Sequence, residues 1–340
     1  IPGRGSSVTL IPPHSDCFPN AQDLVVDRVF GPQVTPAPIT RASWSYVESV
    51  GASDEIIYFA DTNFPNNPER NRRLWKFENN NTATLEISAD QDPAPTPGFP
   101  SFIPFFTTLE IGTSDRHSIL QTSGDGTFIY YIDTLTRVQL ASVGYTPTEN
   151  PGWTRNGSLL TAITQGSVGG GRKWTQWDSL TGTLIQNPIY ALDATNKFAI
   201  ALHDNGEFIY VLSYINGSVP LTTQVEKFNR TTLALVDSFD LGILPSGTGY
   251  TSLFAEDANH IWLISVPSAP PSTTVSVRYI KNFSTLVTVD LSVAIPVGNT
   301  YAGFLFGLSV KIINQKRWIY IGGDPSGDDV GRIFRIPVLC

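Results

Sequence analysis

Five times along this chain a short run of aromatic and β-branched residues meets an Asp or Asn and then resumes as a second such run. Trp75-Lys76-Phe77-Glu78 precedes Asn79, and Thr84-Leu85-Glu86-Ile87 follows it. Tyr130-Tyr131-Ile132 precedes Asp133, before Thr136-Arg137-Val138; Trp174-Thr175-Gln176-Trp177 precedes Asp178, before Thr181-Gly182-Thr183-Leu184. Val225-Glu226-Lys227-Phe228 leads to Asn229 and Thr232-Leu233-Ala234-Leu235; Val277-Arg278-Tyr279-Ile280 leads to Asn282 and Thr285-Leu286-Val287. The anchors at 79, 133, 178, 229 and 282 are 54, 45, 51 and 53 residues apart. A period of roughly 40–50 residues made of short strands is that of a β-propeller, one four-stranded blade per repeat. Each unit then reads as the hairpin of two outer strands. Asp and Asn suit its turn because their side chains bond the backbone and tolerate left-handed conformations.

A second recurring piece precedes most of these hairpins: Glu55–Phe59, Glu207–Val211, His260–Ile264 and Arg317–Ile321. Their apolar runs follow turn signals such as Asp204-Asn205-Gly206 and predict a second, nearly fully buried strand. In the third repeat Ser158–Thr164 fills that role, and no first strand can be assigned. The sixth hairpin is split. Phe334-Arg335-Ile336-Pro337 falls where it is due, the chain then ends at Cys340, and the missing strand is Leu24-Val25-Val26 within the run Asp23–Phe30. The expectation is an all-β, six-bladed β-propeller whose last blade is completed by an N-terminal strand, Leu24–Phe30 running antiparallel to Ile333–Leu339. A seven-bladed ring remains the alternative if residues 31–50 hide another repeat. Residues 1–22 read as an extended arm and residues 23–340 as one domain. The two cysteines, Cys17 and Cys340, flank the split hairpin and are expected to be bridged; two unrelated free thiols are the alternative.

The charge balance excludes several classes of partner. The net charge of −8 argues against nucleic acid and anionic membrane, and the absence of an 18-residue apolar run argues against membrane insertion. The absence of Met and of a leader is read as a mature chain. Five N-glycosylation sequons start at Asn80, Asn156, Asn216, Asn229 and Asn282. Together with the paired cysteines they predict a secreted glycoprotein with N-linked glycans. Four of the five, at Asn80, Asn156, Asn229 and Asn282, fall in connections between first and second or third and fourth strands. The long Pro- and aromatic-rich connections, such as residues 31–40, 90–106 and 144–153, fall on the other side, where a central mouth would open.

Catalytic signatures are scarce. The chain has no Gly-x-Ser-x-Gly, no His-Glu-x-x-His, no phosphate loop and no Cys-x-x-Cys. Ser123-Gly124-Asp125-Gly126-Thr127 reads as an ordinary turn. Of the four histidines, His14 lies in the arm and His260 beside a buried strand, whereas His117 and His203 stand at strand edges and are candidate catalytic groups, with Tyr46. Asp324, Asp328 and Asp329 share a Gly-rich loop with no recognisable cation-cage spacing; no metal and no cofactor is expected. The aromatic residues carry the clearest site signal. Trp44, Tyr46, Phe106, Trp153, Tyr250, Tyr301 and Phe304 lie at or near the starts of inner segments, and would line a mouth suited to a flat apolar molecule or the faces of sugars.

The turn-plus-strand units Asp204–Tyr210 and Ser123–Tyr130, with hairpins such as Trp177-Asp178-Ser179-Leu180-Thr181-Gly182, resemble those of secreted fungal six-bladed propellers of the SMP-30/gluconolactonase-like superfamily. Metal-dependent members of that superfamily hold a divalent cation with an acidic and amide set around the tunnel, which is not matched here residue by residue; Glu48 is the one acid on the clearest inner strand. The resemblance extends to members acting as hetero-Diels–Alderases, which need no metal. It therefore implies an enzyme that binds an apolar small molecule and carries out a metal-independent cycloaddition in natural-product biosynthesis. The alternatives are a carbohydrate-binding, cell-surface or extracellular structural glycoprotein without turnover, and a metal-dependent lactonase.

Overall fold

The computed structural model describes residues 23–30, 46–53, 56–62, 72–78, 83–88, 109–111, 117–123, 126–131, 136–143, 146–147, 153–165, 172–188, 197–215, 222–243, 249–266, 274–294, 301–313, 316–325 and 332–338. These residues form strands and turns and no helix. Two short strands come first, β1 (Asp23–Val25) and β2 (Arg28–Phe30). An antiparallel sheet follows, of β3 (Tyr46–Ser53), β4 (Ile56–Thr62), β5 (Arg72–Glu78) and β6 (Ala83–Ser88). The next holds β7 (Leu109–Ile111), β8 (His117–Ser123), β9 (Gly126–Tyr131) and β10 (Thr136–Gln139). In the third, β11 (Thr146–Pro147) and β12 (Trp153–Asn156) both pair with β13 (Leu159–Gln165), followed by β14 (Arg172–Asp178) and β15 (Leu184–Gln186). The fourth comprises β16 (Lys197–Asp204), β17 (Phe208–Ile215), β18 (Thr222–Asn229) and β19 (Leu235–Ile243). The fifth is built from β20 (Gly249–Ala255), β21 (Ile261–Val266), β22 (Thr274–Asn282) and β23 (Val287–Ala294). The last has β24 (Tyr301–Ile313), β25 (Lys316–Pro325) and β26 (Arg332–Val338), with β2 as its fourth member.

All five anticipated hairpins occur as the last two strands of their sheets. Three of their turns have one construction. The Asp178 carboxylate accepts the N–H groups of Leu180 (2.8 Å) and Thr181 (3.0 Å), and Asn229 Oδ1 accepts those of Thr231 (3.0 Å) and Thr232 (2.9 Å). Asn282 Oδ1 accepts the N–H of Thr285 (3.2 Å). Four residues past each anchor the backbone turns left-handed, at Gly182 (φ 74°), Leu233 (φ 55°) and Leu286 (φ 49°). The repeat read from the sequence is thus a repeat of turn geometry.

Where side chains are described, neighbouring sheets pack face against face, and the fourth sheet is buried on both faces. This is why Ile209, Tyr210, Val211 and Leu212 are consecutive and all fully buried. Ile209 and Val211 join Phe228 against Ile163 and Trp174 of the preceding sheet. Tyr210 and Leu212 face Leu253, Leu263 and Phe283 of the following one. Edge-to-face ring pairs cross both seams, Trp174 with Phe228 at 5.0 Å and Tyr210 with Phe283 at 5.5 Å. Each fully buried Leu, Ile or Val contributes on the order of 2 kcal/mol.

One expectation needs correction. The run Asp23–Phe30 is two strands. Only Arg28–Phe30 pairs antiparallel with β26, with Val29 opposite Phe334. Leu24 lies opposite Val293, in a parallel pairing of β1 with the outer strand β23 of the neighbouring sheet. Between them Val26 packs into the core shared by those two sheets, while Asp27 pairs with the Arg335 guanidinium and donates its N–H to the Arg335 carbonyl (2.9 Å). The chain steps across a seam because a half-buried valine and an ion pair fix the crossing. The unit Ser123–Tyr130 differs from Asp204–Tyr210 in its place. It joins the second and third strands, β8 and β9, whereas Asp204–Tyr210 joins the first and second, β16 and β17. A turn followed by an apolar strand is a local signal and holds no information on strand order.

Candidate functional site

Six first strands pack side by side in one series. The succession runs from β12 through β16, β20 and β24 to β3 and β7, passing from the C-terminal sheet directly to the N-terminal one. The ends of these inner strands therefore gather around one region, and the two ends of the assembly differ.

At one end the connections are short and bonded. Asp204, whose side chain is fully buried, forms an ion pair with Arg230 Nε at 2.8 Å. The same guanidinium donates to the Asn156 carbonyl of the preceding sheet (2.7 Å), and Asn156 Nδ2 donates to the Asp204 carbonyl (3.1 Å). Thr154 Oγ1 accepts the Asp204 N–H (3.0 Å). Burial pushes the Asp204 carboxyl pKa up, opposed by Arg230 and by the Gly206 N–H. Two seams further on, Arg317 donates to Glu256 at 2.7 and 3.1 Å, both side chains nearly buried. Tyrosine hydroxyls reach across seams to turn carbonyls, Tyr131 to Ser179 (2.7 Å) and Tyr210 to Ala258 (2.8 Å). His260 belongs to this end. Its Nδ1 lies 2.7 Å from Asp257 Oδ2, which supports the structural role expected for it. Burial raises the Asp257 carboxyl, but the bonds from His260 and from the N–H groups of Asn259 and His260 outweigh it and hold the pKa at about 2.

The opposite end receives the longer connections, among them residues 89–108, 187–196, 63–71 and 267–273 between their flanking strands. Here the inner strands begin. Tyr46 and Tyr301 are the first residues of the neighbouring strands β3 and β24, with Phe304 farther along β24. β3 carries a register shift between Val47 and Ser49, at Glu48. Trp153 begins β12 and Tyr250 is the second residue of β20, as the sequence implied, but both rings are engaged in seams. Trp153 (2% exposed) packs with Ile129, Tyr131 and Trp177. Tyr250 (5% exposed) packs with Leu253 and Leu263, under the Arg278 guanidinium 5.8 Å from its ring centre. Burial raises the Tyr250 pKa against the pull of Arg278.

His203 stands near the bonded end of β16. Its ring tilts against Phe254 at 4.3 Å, and Nδ1 accepts the Ala255 N–H at 3.3 Å, which fixes the neutral tautomer with its proton on Nε2. Desolvation holds its pKa down at about 4. The structure therefore separates His203 from Tyr46, which lies at the other end of the inner strands. His117 begins β8, a second strand, opposite Ile111. Trp44, Phe106, His14, Asp328, Asp329, Cys17, Cys340, Asn80 and Asn216 lie outside the described residues; Asp324 is part of β25.

Among the described residues no three His, Cys, Asp or Glu side chains form a cation-holding group. The buried acids nearest the inner strands, Asp204 and Glu256, are engaged with arginines. Sequence reasoning missed both arginine pairs, because Arg230 sits inside a sequon and Arg317 opens a strand, and neither position signals a distant partner.

No family model matches this chain, and no curated protein matches it. Among solved structures it is similar to the calcium-binding protein regucalcin from Agrobacterium tumefaciens, with 13% identity and a TM-score of 0.49, over 93% of this chain and 95% of that one. It is similar to the β-propeller domain of the Trilobed protease from Pyrococcus furiosus, with 10% identity and a TM-score of 0.41, over 81% and 77%. A third neighbour is the oligogalacturonate lyase from Vibrio parahaemolyticus, with 10% identity and a TM-score of 0.43, over 84% and 75%.

Proposed function

We propose that the chain is a six-bladed propeller, closed by the pairing of β2 with β26, that binds an apolar small molecule at the end where its inner strands begin. The observation that carries the reading is the asymmetry between the two ends. One is fastened by buried ion pairs and cross-seam hydrogen bonds; the other gathers the long connections around the starts of the inner strands. A rigid base under a loop-rimmed mouth is the usual setting of a ligand site in a closed β fold.

The resemblance to secreted six-bladed propellers supports a finer reading, turnover by a hetero-Diels–Alder cycloaddition in a secretory compartment. Such a reaction conserves all atoms and needs no leaving group. What the protein supplies is orientation of a diene against a heteroatom-containing double bond, with a hydroxyl polarising the acceptor. Tyr46, at the entry end of β3, is the candidate for that hydroxyl, and Trp44, Phe106, Tyr301 and Phe304 are candidates for the apolar walls.

The test is a thermal-shift screen of apolar, polyunsaturated small molecules, followed by titration of the best binder. Trp44→Ala, Phe106→Ala and Tyr301→Ala are expected to weaken it about tenfold or more, with EDTA leaving binding unchanged. Unaltered affinity in all three variants would move the site away from this end. Loss on chelation with recovery in Ca²⁺ would return the lactonase reading.

A further inference from the structure

The sequons of this chain share a sequence form but not a structural setting. Asn156, Asn229 and Asn282 all sit at short turns on the bonded end. An N-linked sugar attaches to Nδ2, so the use each amide makes of that atom decides whether a glycan and the fold are compatible.

At Asn229 and Asn282 the turn is built through the other atom. Asn229 Oδ1 accepts the N–H groups of Thr231 and Thr232 and the Thr232 hydroxyl (3.1 Å). Asn282 Oδ1 accepts the Thr285 N–H and the Ser284 hydroxyl (2.8 Å). The flanking residues Thr231, Thr232, Ser284 and Thr285 are exposed. Both turns lie on outer hairpins, where Arg230 and Thr231 of the first and Phe283 of the second meet the preceding sheet, while both anchor amides use Oδ1 to build the turn itself.

Asn156 is the reverse case. Its Nδ2 donates across a seam to the Asp204 carbonyl, and a Cβ placed on Gly206 would lie 3.4 Å from that nitrogen. Its own carbonyl is held by Arg230. A glycan on Nδ2 would leave one N–H there and would occupy the volume of the neighbouring sheet's turn, against which that nitrogen packs.

We infer that Asn229 and Asn282 are N-glycan acceptors and that Asn156 stays unmodified, its amide serving as a cross-seam donor. The inference rests on the reading of a secretory-pathway protein. The modification is a group transfer. Nδ2 forms a bond to the anomeric carbon of an oligosaccharide carried on a lipid pyrophosphate, the sugar–pyrophosphate bond breaks, the lipid pyrophosphate leaves, and one amide proton passes to solvent.

The experiment supplies the secretory route, so that it tests the sites apart from the native localisation. The full chain is secreted from a eukaryotic host behind a leader. The folded protein is deglycosylated enzymatically in ¹⁸O-water, and labelled aspartates are mapped by mass spectrometry. Label at Asn229 and at Asn282, with none at Asn156, is expected. Label at Asn156 in folded protein, or its absence from either Asn229 or Asn282, overturns the inference. Two variants test the reason. Ser158→Ala destroys the sequon and keeps the amide, and is expected to leave both glycan mass and Tm unchanged. Asn156→Asp keeps the side-chain size, loses the donor and is expected to lower Tm; an unchanged Tm would overturn the seam role. If Asn156→Asp fails to fold, the glycan map and Ser158→Ala still decide. Whether the native protein is secreted is a separate measurement, its intact mass from its own source.

Discussion

At the residue scale, the informative groups are the charged ones between sheets. Arg230 satisfies a fully buried carboxylate and a carbonyl of the preceding sheet. Arg230→Ala leaves Asp204 buried and unpaired, and is expected to destabilise by about 3 kcal/mol, read as a lower urea midpoint. Arg278→Ala removes a pair with the largely exposed Asp290 and is expected to cost about 1 kcal/mol or less in the charge interaction, beyond any packing lost over Tyr250. His203 gives a pH prediction. The unfolded chain takes up its proton below about pH 6.5, whereas desolvation delays uptake in the folded chain to about pH 4. Its contribution is thus complete above pH 6.5 and is lost as pH falls through that window. Asp257, held at about 2, loses its contribution at lower pH, below the ordinary carboxylate range. His203→Asn keeps an acceptor for the Ala255 N–H and removes the titration. Its stability is expected to be flat between pH 6.5 and 4, where the parent loses up to about 3 kcal/mol. Equal slopes in the two proteins would show that another group titrates there.

At the scale of elements, the outer hairpins show what a periodic signal can and cannot reveal. The anchors Asp178, Asn229 and Asn282 were legible because turn chemistry is local. So were the second strands, whose unbroken apolar runs reflect burial on both faces. The left-handed position four residues past each anchor was not legible, since it holds Gly182 once and a leucine twice. The leucines persist there because Leu233 is buried among Ile209 and Phe228, and Leu286 packs beside Phe283. Gly182 is required for a different reason: a Cβ there would collide with the Gln139 backbone oxygen of the neighbouring sheet. The Gly182 carbonyl also accepts the Ala141 N–H at 2.8 Å. Gly182→Ala is expected to destabilise by about 2 kcal/mol or more, combining left-handed strain with a steric clash, while Leu286→Gly should change stability far less. Comparable Tm losses in the two variants would assign the cost to the turn rather than to the seam. The directions of Trp153 and Tyr250 were equally hidden. Both stand at strand starts, as the sequence implied, but which seam a ring enters is decided by neighbours far away in the chain.

At the scale of the molecule, the N-terminal segment does more than the sequence indicated. A split hairpin was legible from the spacing, because β26 arrives one repeat after the fifth anchor. The parallel seat of β1 on β23 was not, since it depends on Val26 finding a core built by two other sheets. Eight residues therefore fasten the outer edges of two sheets and, through β2, join the first part of the chain to the last. A ring closed as proposed above would unfold as a unit, whereas one opened there can lose its end sheets separately. A chain beginning at Gly31 is expected to have a lower Tm and a broadened or divided unfolding transition. A permutant that places residues 23–30 after Cys340 through a flexible linker should recover a single transition if pairing alone matters. The bridge expected between Cys17 and Cys340 adds a separate contribution, about 5 kcal/mol from loop-closure entropy. Intact-mass measurement without reductant should show two hydrogens fewer than the reduced chain. Reduction should then lower Tm in the parent and leave Cys17→Ser unaffected. Two free thiols in the native protein would leave the β2–β26 ladder, the Asp27–Arg335 pair and half-buried Val26 to hold the chain ends without a covalent bridge.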